Sequence, residues 1–394
     1  MNLLYLTYSF PFHTKTGASV RTSYQIECLS KHYQVDVVYI NKNKQHIEQV
    51  NTYKNSNFLP ANVRIIEVLH IKTDNSSLSK RMHNYLEPLL FRNNAAIENC
   101  ISKHIKSNEY KVLFFRSNVI SDRINFKQFN LPIVVDFDDD PLQVIENANY
   151  KKRKFGYIFK FFLQQNAHRF YKRHYQTGVA LVFANTPSHY FLNYNYQIAP
   201  NVYNFNLKHA VTKTTSFKYF SFLGNFSHQP NIDAVEFFLK EVWSFIKNDI
   251  HLSFCIAGKN LPEIYEQKWK SDKTIILGEV EDLESFYNNS LFTIAPMVSG
   301  SGTNIKVLES LSYGRICITS SFGSRGFEEL YQQLTYNSIA DTRTEWKNII
   351  QYLTVNEEFA INLGEEACSK ASATFSVAVM EHKLKAIIDN LFRE

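Results

Sequence analysis

A chain of 394 residues is too long for one ordinary hydrophobic core, so its length points to two domains. With 44% hydrophobic and 15% aromatic residues it can fill folded cores, which excludes disordered and collagen-like chains. The net charge of +6 conceals an asymmetry: residues 1–200 carry 25 Lys+Arg against 14 Asp+Glu, whereas residues 201–394 carry 18 against 23, so the first half should meet an anionic partner such as nucleic acid, a phospholipid surface or a phosphorylated small molecule.

Along the chain, short apolar runs alternate with helical patterns, the signature of βα units and parallel sheets. The run Met1 to Leu6 has no basic leader and reads as a first strand, not a signal peptide. Strands are expected at Leu3–Thr7, Val35–Ile40, Val63–Val68, Val112–Arg116, Ile133–Asp136, Ala180–Ala184 and Gln197–Ala199, with the clearest helices at Ala18–Lys31 and Leu86–Lys106. A polar segment, 201–216, separates the halves. A fresh series then places strands at Tyr219–Leu223, His251–Ala257, Thr274–Leu277, Leu291–Ala295 and Ile316–Thr319. The simplest assembly is two Rossmann-like domains, 1–200 and 217–375, with their parallel sheets facing an interdomain cleft and ligands beyond the carboxyl ends of the strands. No stretch approaches the roughly 20 apolar residues of a membrane span, which gives a cytoplasmic expectation. The five cysteines, Cys28, Cys100, Cys255, Cys317 and Cys368, are scattered and never form a CxxC pair, which argues against zinc and against a disulfide framework.

The most informative stretch runs from Ala295 to Leu311. A strand ends at Ala295, the small-residue loop Ser299-Gly300-Ser301-Gly302 follows, and an apolar-periodic helix starts near Thr303 or Asn304. Backbone N–H groups of such a loop and of the helix N-terminus converge on one place, which suits a phosphate. Lys306 adds a positive charge there, and Glu309, three residues on, presents a carboxylate that can accept both hydroxyls of a ribose. The plainer reading is a glycine-rich turn whose Glu309 only favours the helix dipole.

Order is what raises the first reading above the second. Phe222-Leu223-Gly224-Asn225-Phe226-Ser227-His228-Gln229-Pro230-Asn231, then Ile256-Ala257-Gly258-Lys259, then Leu277-Gly278-Glu279-Val280-Glu281-Asp282-Leu283, then the Ser/Gly loop, then Gly323-Ser324-Arg325-Gly326-Phe327 appear in sequence. This series resembles the donor-binding half of retaining glycosyltransferases of the GT-B fold, family 4 (glycosyl transferases group 1). In the first half, Gly17-Ala18-Ser19-Val20-Arg21 after the first strand resembles the family's glycine loop, Ala199-Pro200-Asn201 its turn before the linker, and Phe375-Ser376 with the following helix (376–394) its closing segment, which packs back onto the first domain.

The resemblance implies an α/β, metal-independent enzyme that moves a sugar, with retention, from a nucleotide diphosphate sugar to a hydroxyl of a cell-surface glycan or lipid-linked acceptor, with no resident cofactor. It assigns Ser301, Gly302, Thr303, Asn304 and Lys306 to the phosphates and Glu309 to the ribose. Gly17 and Arg21 fall on the opposite side of the diphosphate, Gly224 and Asn225 on the donor loop, and Gly278 to Val280 on the edge of the base. Two positions depart from the family pattern: Ser301 stands where a first glutamate is usual, and Asn225 where an Arg is common, leaving Lys306, with Arg21 or Lys259, to supply positive charge. A catalytically silent nucleotide-sugar-binding partner and a GT-B-like epimerase are the alternative readings.

Two further features lie in the first half. The cluster Asp136-Phe137-Asp138-Asp139-Asp140 could be a metal-binding DxD, an acceptor-orienting group with Asp138 or Asp139 as base, or a solvated loop turned by Asp140 before Pro141. Residues 150–175 hold Lys151, Lys152, Arg153, Lys154, Lys160, Arg169, Lys172 and Arg173 with no acid, interleaved with nine aromatics. That composition fits a helix on an anionic membrane surface, or one whose aromatics fill the core while its lysines face water. Without an RNA-binding signature, nucleic acid is not expected as the partner.

Overall fold

The computed structural model describes residues 1–10, 17–41, 50, 59–70, 94–138, 140–143, 156–175, 178–205, 217–300 and 302–393. The chain divides into two compact units, Met1–Pro200 with Met380–Glu394, and Asn201–Val379.

In the first unit, strands β1 (Asn2–Thr7), β2 (Gln34–Asn41), β3 (Val63–His70), β4 (Tyr110–Arg116), β5 (Ile133–Asp138), β6 (Val179–Phe183) and β7 (Tyr196–Ile198) form one seven-stranded parallel sheet. Their order, β3-β2-β1-β4-β5-β6-β7, reverses between β1 and β4. Such a reversal opens a crevice at the carboxyl ends of the central strands. The central strands are apolar on both faces because helices cover both. Leu4 and Leu6 of β1 join Val38, Ile40, Leu113 and Phe115 in one core, while Tyr5, pointing the other way, stacks on Phe114 at 5.0 Å.

The helices of this unit include α1 (Gly17–Ser30), α2 (Ala95–Ser107) and α3 (Gly156–His174), and the C-terminal helix Val377–Asn390 belongs to it from Met380 onward. The helix expected from Leu86 begins only at Ala95: Asn94 is extended and its side chain accepts from the N–H groups of Ala96 (3.1 Å) and Ile97 (3.3 Å), a local cap that fixes the start. Residues 86–93 of that expectation lie outside the described residues.

In the second unit, β8 (Tyr219–Leu223), β9 (Ser253–Ala257), β10 (Thr274–Gly278), β11 (Ser290–Ala295) and β12 (Cys317–Thr319) form a five-stranded parallel sheet in the order β10-β9-β8-β11-β12. Its helices include α4 (Gln229–Phe238), α5 (Glu263–Trp269), α6 (Leu283–Asn288), α7 (Ile305–Ser312), α8 (Arg343–Val355) and α9 (Glu357–Phe375). Phenylalanines fill the centre, with Phe220 stacked on Phe254 (5.2 Å) and on Phe292 (5.1 Å). The reversal falls between β8 and β11, and glycines let the strand ends on the β8 side close on one another. Gly258, at φ +142°, donates its N–H to the Gly278 carbonyl at 2.6 Å, and a Cβ at Gly258 would overlap the Gly224 carbonyl oxygen.

Candidate functional site

At the carboxyl end of β11 the chain runs through the loop 296–304 into α7, on the reversal between β8 and β11. Gly300 (φ +120°) and Gly302 (φ +72°) take backbone conformations that a side chain would strain. The loop is tied down from three directions: Ser299 Oγ donates to Asp233 Oδ2 at 3.0 Å, Asn201 Nδ2 donates to Thr303 Oγ1, and Asn304 Nδ2 donates to the Gly323 carbonyl at 2.9 Å. Asn304 stands at the N-cap of α7, yet its side chain is spent on Gly323 and makes no cap hydrogen bond. The first N–H groups of α7 therefore lack the side-chain oxygen that would ordinarily satisfy one of them. Ser301 lies outside the described residues.

Lys306, in the first turn, is partly buried. Its Nζ donates to Asn231 Oδ1 at 2.6 Å, approaches the Met297 sulfur at 3.6 Å and sits 4.3 Å from the centre of the Phe222 ring. All three partners are neutral. Burial lowers the ammonium to about 8, against weaker raising effects of Cys317 and Glu309.

One turn on, Glu309 accepts from Tyr287 OH at 2.9 Å on one oxygen and from Tyr203 OH at 3.2 Å on the other. Burial raises its carboxyl, while these hydroxyls and Lys306 pull it back down. Each carboxylate oxygen has two acceptor positions, so a ribose hydroxyl can be added to the tyrosine already there.

Gly224 ends β8 with its N–H on the Ala257 carbonyl at 3.0 Å, and the Asn225 side chain organises the following turn, accepting from Ser227 N (3.1 Å) and Asn260 Nδ2 (3.0 Å). Lys259 contributes its carbonyl to this turn, accepting from Phe226 N at 2.9 Å. Gly278 (φ +67°) closes β10, and Val280 packs beside Tyr219, Phe286 and Tyr287.

In the first unit the carboxyl ends of β1, β4 and β5 hold a buried charge cluster. Arg21, expected against a diphosphate, instead makes a two-pronged contact with Asp136, Nε to Oδ2 at 2.9 Å and NH2 to Oδ1 at 2.7 Å, with both side chains fully buried. The reason is electrostatic: a carboxylate inside a central strand requires a counter-charge, and Arg21 on α1 is within reach. Gln25 Nε2 also donates to Asp136 (2.7 Å), and Arg116 reaches both Asp136 (3.3 Å) and Asp138 (2.8 Å). Burial alone would raise Asp136, but Arg21 and Arg116 hold it below the ordinary carboxylate range. Asp138 retains 23% exposure and stands at φ +64°, an uncommon conformation for a residue with a side chain. Asp140 accepts from the N–H groups of Leu142 (2.7 Å), Gln143 (3.2 Å) and Ser188 (2.6 Å), the turn that its place before Pro141 suggests. Two of the DxD carboxylates are thus engaged by guanidinium groups and a third by backbone. Asp139 lies outside the described residues; Gly17 is the exposed first residue of α1.

A second group in this unit, Glu67 on β3 with Cys100 and His104 on α2, has donor atoms within 4.8 Å of one another. His104 Nε2 (2.7 Å) and the Lys103 ammonium (3.0 Å) both sit on Glu67 Oε2, so a cation already occupies the carboxylate. The basic aromatic segment forms α3, whose described part exposes Phe161 (61%) and Phe162 (64%) together with Arg169, Lys172 and Arg173, and buries Ala167 and Tyr171. Lys151, Lys152, Arg153 and Lys154 lie outside the described residues. Among the described residues no helix is long and apolar enough to cross a membrane.

The structure brings Gly302, Thr303, Asn304, Lys306 and Glu309 together with Gly224 and Asn225 at one strand reversal. Sequence reasoning missed Asn231, Tyr203 and Tyr287 there and Arg116 in the first unit. Asn231 stood in the Gln229-Pro230-Asn231 run, but nothing local connects it to a lysine 75 residues away.

Two parallel sheets with this strand order, each flanked by helices, are the GT-B architecture, an α/β fold. Residues 218–351, within the second unit, match the family model described as glycosyl transferases group 1. Among solved structures, sucrose-phosphate synthase from Thermosynechococcus elongatus matches with a TM-score of 0.69 and 12% identity over 100% of both chains. HepE from Anabaena in complex with UDP-glucose matches at 0.62 and 11% over 100% of both. WaaG, a glycosyltransferase involved in lipopolysaccharide biosynthesis, matches at 0.60 and 11%, covering 98% of this chain and 99% of its own. No curated protein matches this chain in sequence.

Proposed function

We propose that the protein transfers a sugar, with retention, from a nucleoside diphosphate sugar to a hydroxyl of a cell-surface glycan or lipid-linked acceptor. The observation that carries this reading is Lys306: a partly buried ammonium held by neutral groups in the first turn of a helix whose N-terminal N–H groups have no side-chain cap. A cation drawn out of water without a direct carboxylate partner is a site prepared for an anion. Gly302 and Thr303 supply backbone around the diphosphate, Glu309 takes the ribose hydroxyls, and Gly278 to Val280 border the base. HepE, whose structure holds UDP-glucose, and WaaG support the donor and acceptor classes by analogy of fold.

The chemistry asked of these residues is stabilisation of charge. As the bond from the anomeric carbon to the phosphate oxygen breaks, negative charge gathers on the diphosphate, where Lys306 and the helix N-terminus meet it. The acceptor oxygen forms its new bond on the same face, and its proton passes to the departing phosphate. That route needs no strong side-chain base and no resident metal. Where a carboxylate assists, Asp138 is the one we assign, since it combines partial exposure with a strained backbone at the carboxyl end of β5. Arg21 is given no ligand role. The exposed Phe161 and Phe162 beside Arg169, Lys172 and Arg173 suit peripheral contact with an anionic membrane, where a lipid-linked acceptor resides.

Turnover of a panel of UDP-, GDP-, ADP- and CMP-sugars, with and without lipid-linked glycan acceptors and with a chelator present, tests the reading. A transferase consumes donor only with acceptor and is indifferent to chelation. Acceptor-independent isomerisation of the donor sugar would show an epimerase, and binding without turnover a silent partner. Unchanged nucleotide affinity in both Lys306→Ala and Glu309→Ala would remove the donor-site assignment.

A further inference from the structure

The partner of Lys306 is itself fixed. Asn231 Nδ2 donates to the Asn225 carbonyl at 2.8 Å, its backbone N–H donates to the His228 carbonyl at 3.0 Å, and its amide packs so closely on Gly224 that a Cβ on that glycine would lie 3.1 Å from it. With the NH2 on a carbonyl, the amide oxygen must face the ammonium. The flipped amide would set donor against donor at Lys306 and acceptor against acceptor at Asn225. One side chain therefore joins the turn after β8 to the first turn of α7.

The ionisable groups around this ammonium are few. Glu309 lies one turn along its own helix with its oxygens on Tyr287 and Tyr203, and Cys317 comes from β12. Asp233, on the same helix as Asn231, accepts from Ser299 Oγ (3.0 Å) and Gln229 Nε2 (2.8 Å). An acid is close in sequence, yet the residue in direct contact is an amide.

We propose that Asn231 is a positioning residue for the donor's diphosphate: it aims the Lys306 ammonium and, being neutral, leaves its charge uncompensated for the incoming phosphate. The inference rests on the reading of Lys306 as a diphosphate contact. A carboxylate at the same place would hold the lysine equally well and compete with the phosphate for it. Exchanging a neutral partner for a charged one is also where the gain in hydrogen-bond strength on binding arises.

The test is calorimetric titration of the full chain with UDP and GDP from pH about 7 to about 9.5, across the range in which a lysine of lowered proton affinity titrates. Wild type should lose affinity as pH rises through about 8. Asn231→Asp should bind about tenfold or more weakly at neutral pH, as expected for loss of a charged hydrogen bond, with the midpoint of the pH-dependent loss moved upward. Asn231→Ala should weaken binding without the upward shift. In the Lys306→Ala background, Asn231→Ala should not weaken binding further, whereas a merely structural role would add its full loss there. Wild-type affinity in Asn231→Asp, or additive losses in the Asn231→Ala, Lys306→Ala double variant, would overturn the proposal. Lys306→Ala binding as tightly as wild type would instead overturn the donor-site reading beneath it. If Asn231→Asp does not fold, the Asn231→Ala and Lys306→Ala cycle decides the question on its own: coupled losses support the positioning role and additive losses overturn it.

Discussion

Asp122 lies just beyond β4, buried against the last turn of α3. Tyr175 OH donates to one carboxyl oxygen, and Tyr171 OH (3.3 Å) and Asn118 Nδ2 (3.1 Å) donate to the other. Burial dominates these bonds and raises the carboxyl from 3.8 to about 7. The folded state therefore holds this proton more tightly than the unfolded chain does. The resulting stabilisation is complete below the unfolded value of 3.8 and is lost as pH rises through about 7. Over that interval it amounts to about 4 kcal/mol, at about 1.4 kcal/mol for each tenfold change in proton affinity. Asp122→Asn removes the titration and keeps the hydrogen bonds, because a phenol can accept from the new amide as readily as donate to an acid. Urea unfolding at pH about 4 and about 8, where the two titration limits are approached, should show wild type losing stability relative to Asp122→Asn as pH rises. The three tryptophans, Trp243, Trp269 and Trp346, all lie in the second unit. The effect should thus appear in the circular-dichroism transition of the first unit and leave the tryptophan-fluorescence transition alone. Parallel stability curves for the two proteins would refute the burial argument.

Two other perturbations are as direct. Asp136→Ala strands Arg21 and Arg116 without their buried counter-charge and should cost about 3–5 kcal/mol of first-unit stability, with part recovered on adding Arg21→Met; equal stability of Asp136→Ala and wild type in urea would show that the cluster is not held by charge. Flotation with anionic vesicles should carry wild type and leave behind a Phe161→Ser, Phe162→Ser double variant, while vesicles without anionic lipid should carry neither. Undiminished flotation of the double variant would remove α3 from the membrane contact.

Both sheets were legible in the sequence because each strand is an apolar run that ends in a polar or glycine turn. Lys306 and Glu309 were legible for a related reason: both lie on one short helix, so their spacing alone puts them on neighbouring positions of one face. Helix α2 was misjudged at its start because apolar spacing continues upstream, whereas the boundary is set by the Asn94 side chain on two N–H groups. Partnerships across the sheet were not legible. Arg21 follows a first strand and a glycine as a phosphate ligand would, and only the fold reveals that Asp136, 115 residues later, claims its guanidinium. Asn231 had the opposite fault: it sat in a stretch already singled out, but an amide gives no sign in sequence of the ammonium it will meet.

The two units set the same strand order to different electrostatic use. Beside the first unit's reversal, between β1 and β4, two arginines meet two aspartates, and the charges are satisfied internally, with only Asp138 partly exposed. At the second unit's reversal, between β8 and β11, the ammonium of Lys306 meets an amide, a thioether and an aromatic ring, while the carboxylate on the same helix is held by tyrosines. A buried ion that can be satisfied but is given only neutral partners raises the energy of the empty site and lowers that of the anion-bound one relative to it. On the proposed reading of the donor site, the contrast explains why Arg21, though basic and correctly placed in the chain, would gain little from a phosphate, and why Lys306 would gain much. Charge count and motif position are alike in the two cases; what separates them is whether the fold has already supplied a counter-charge.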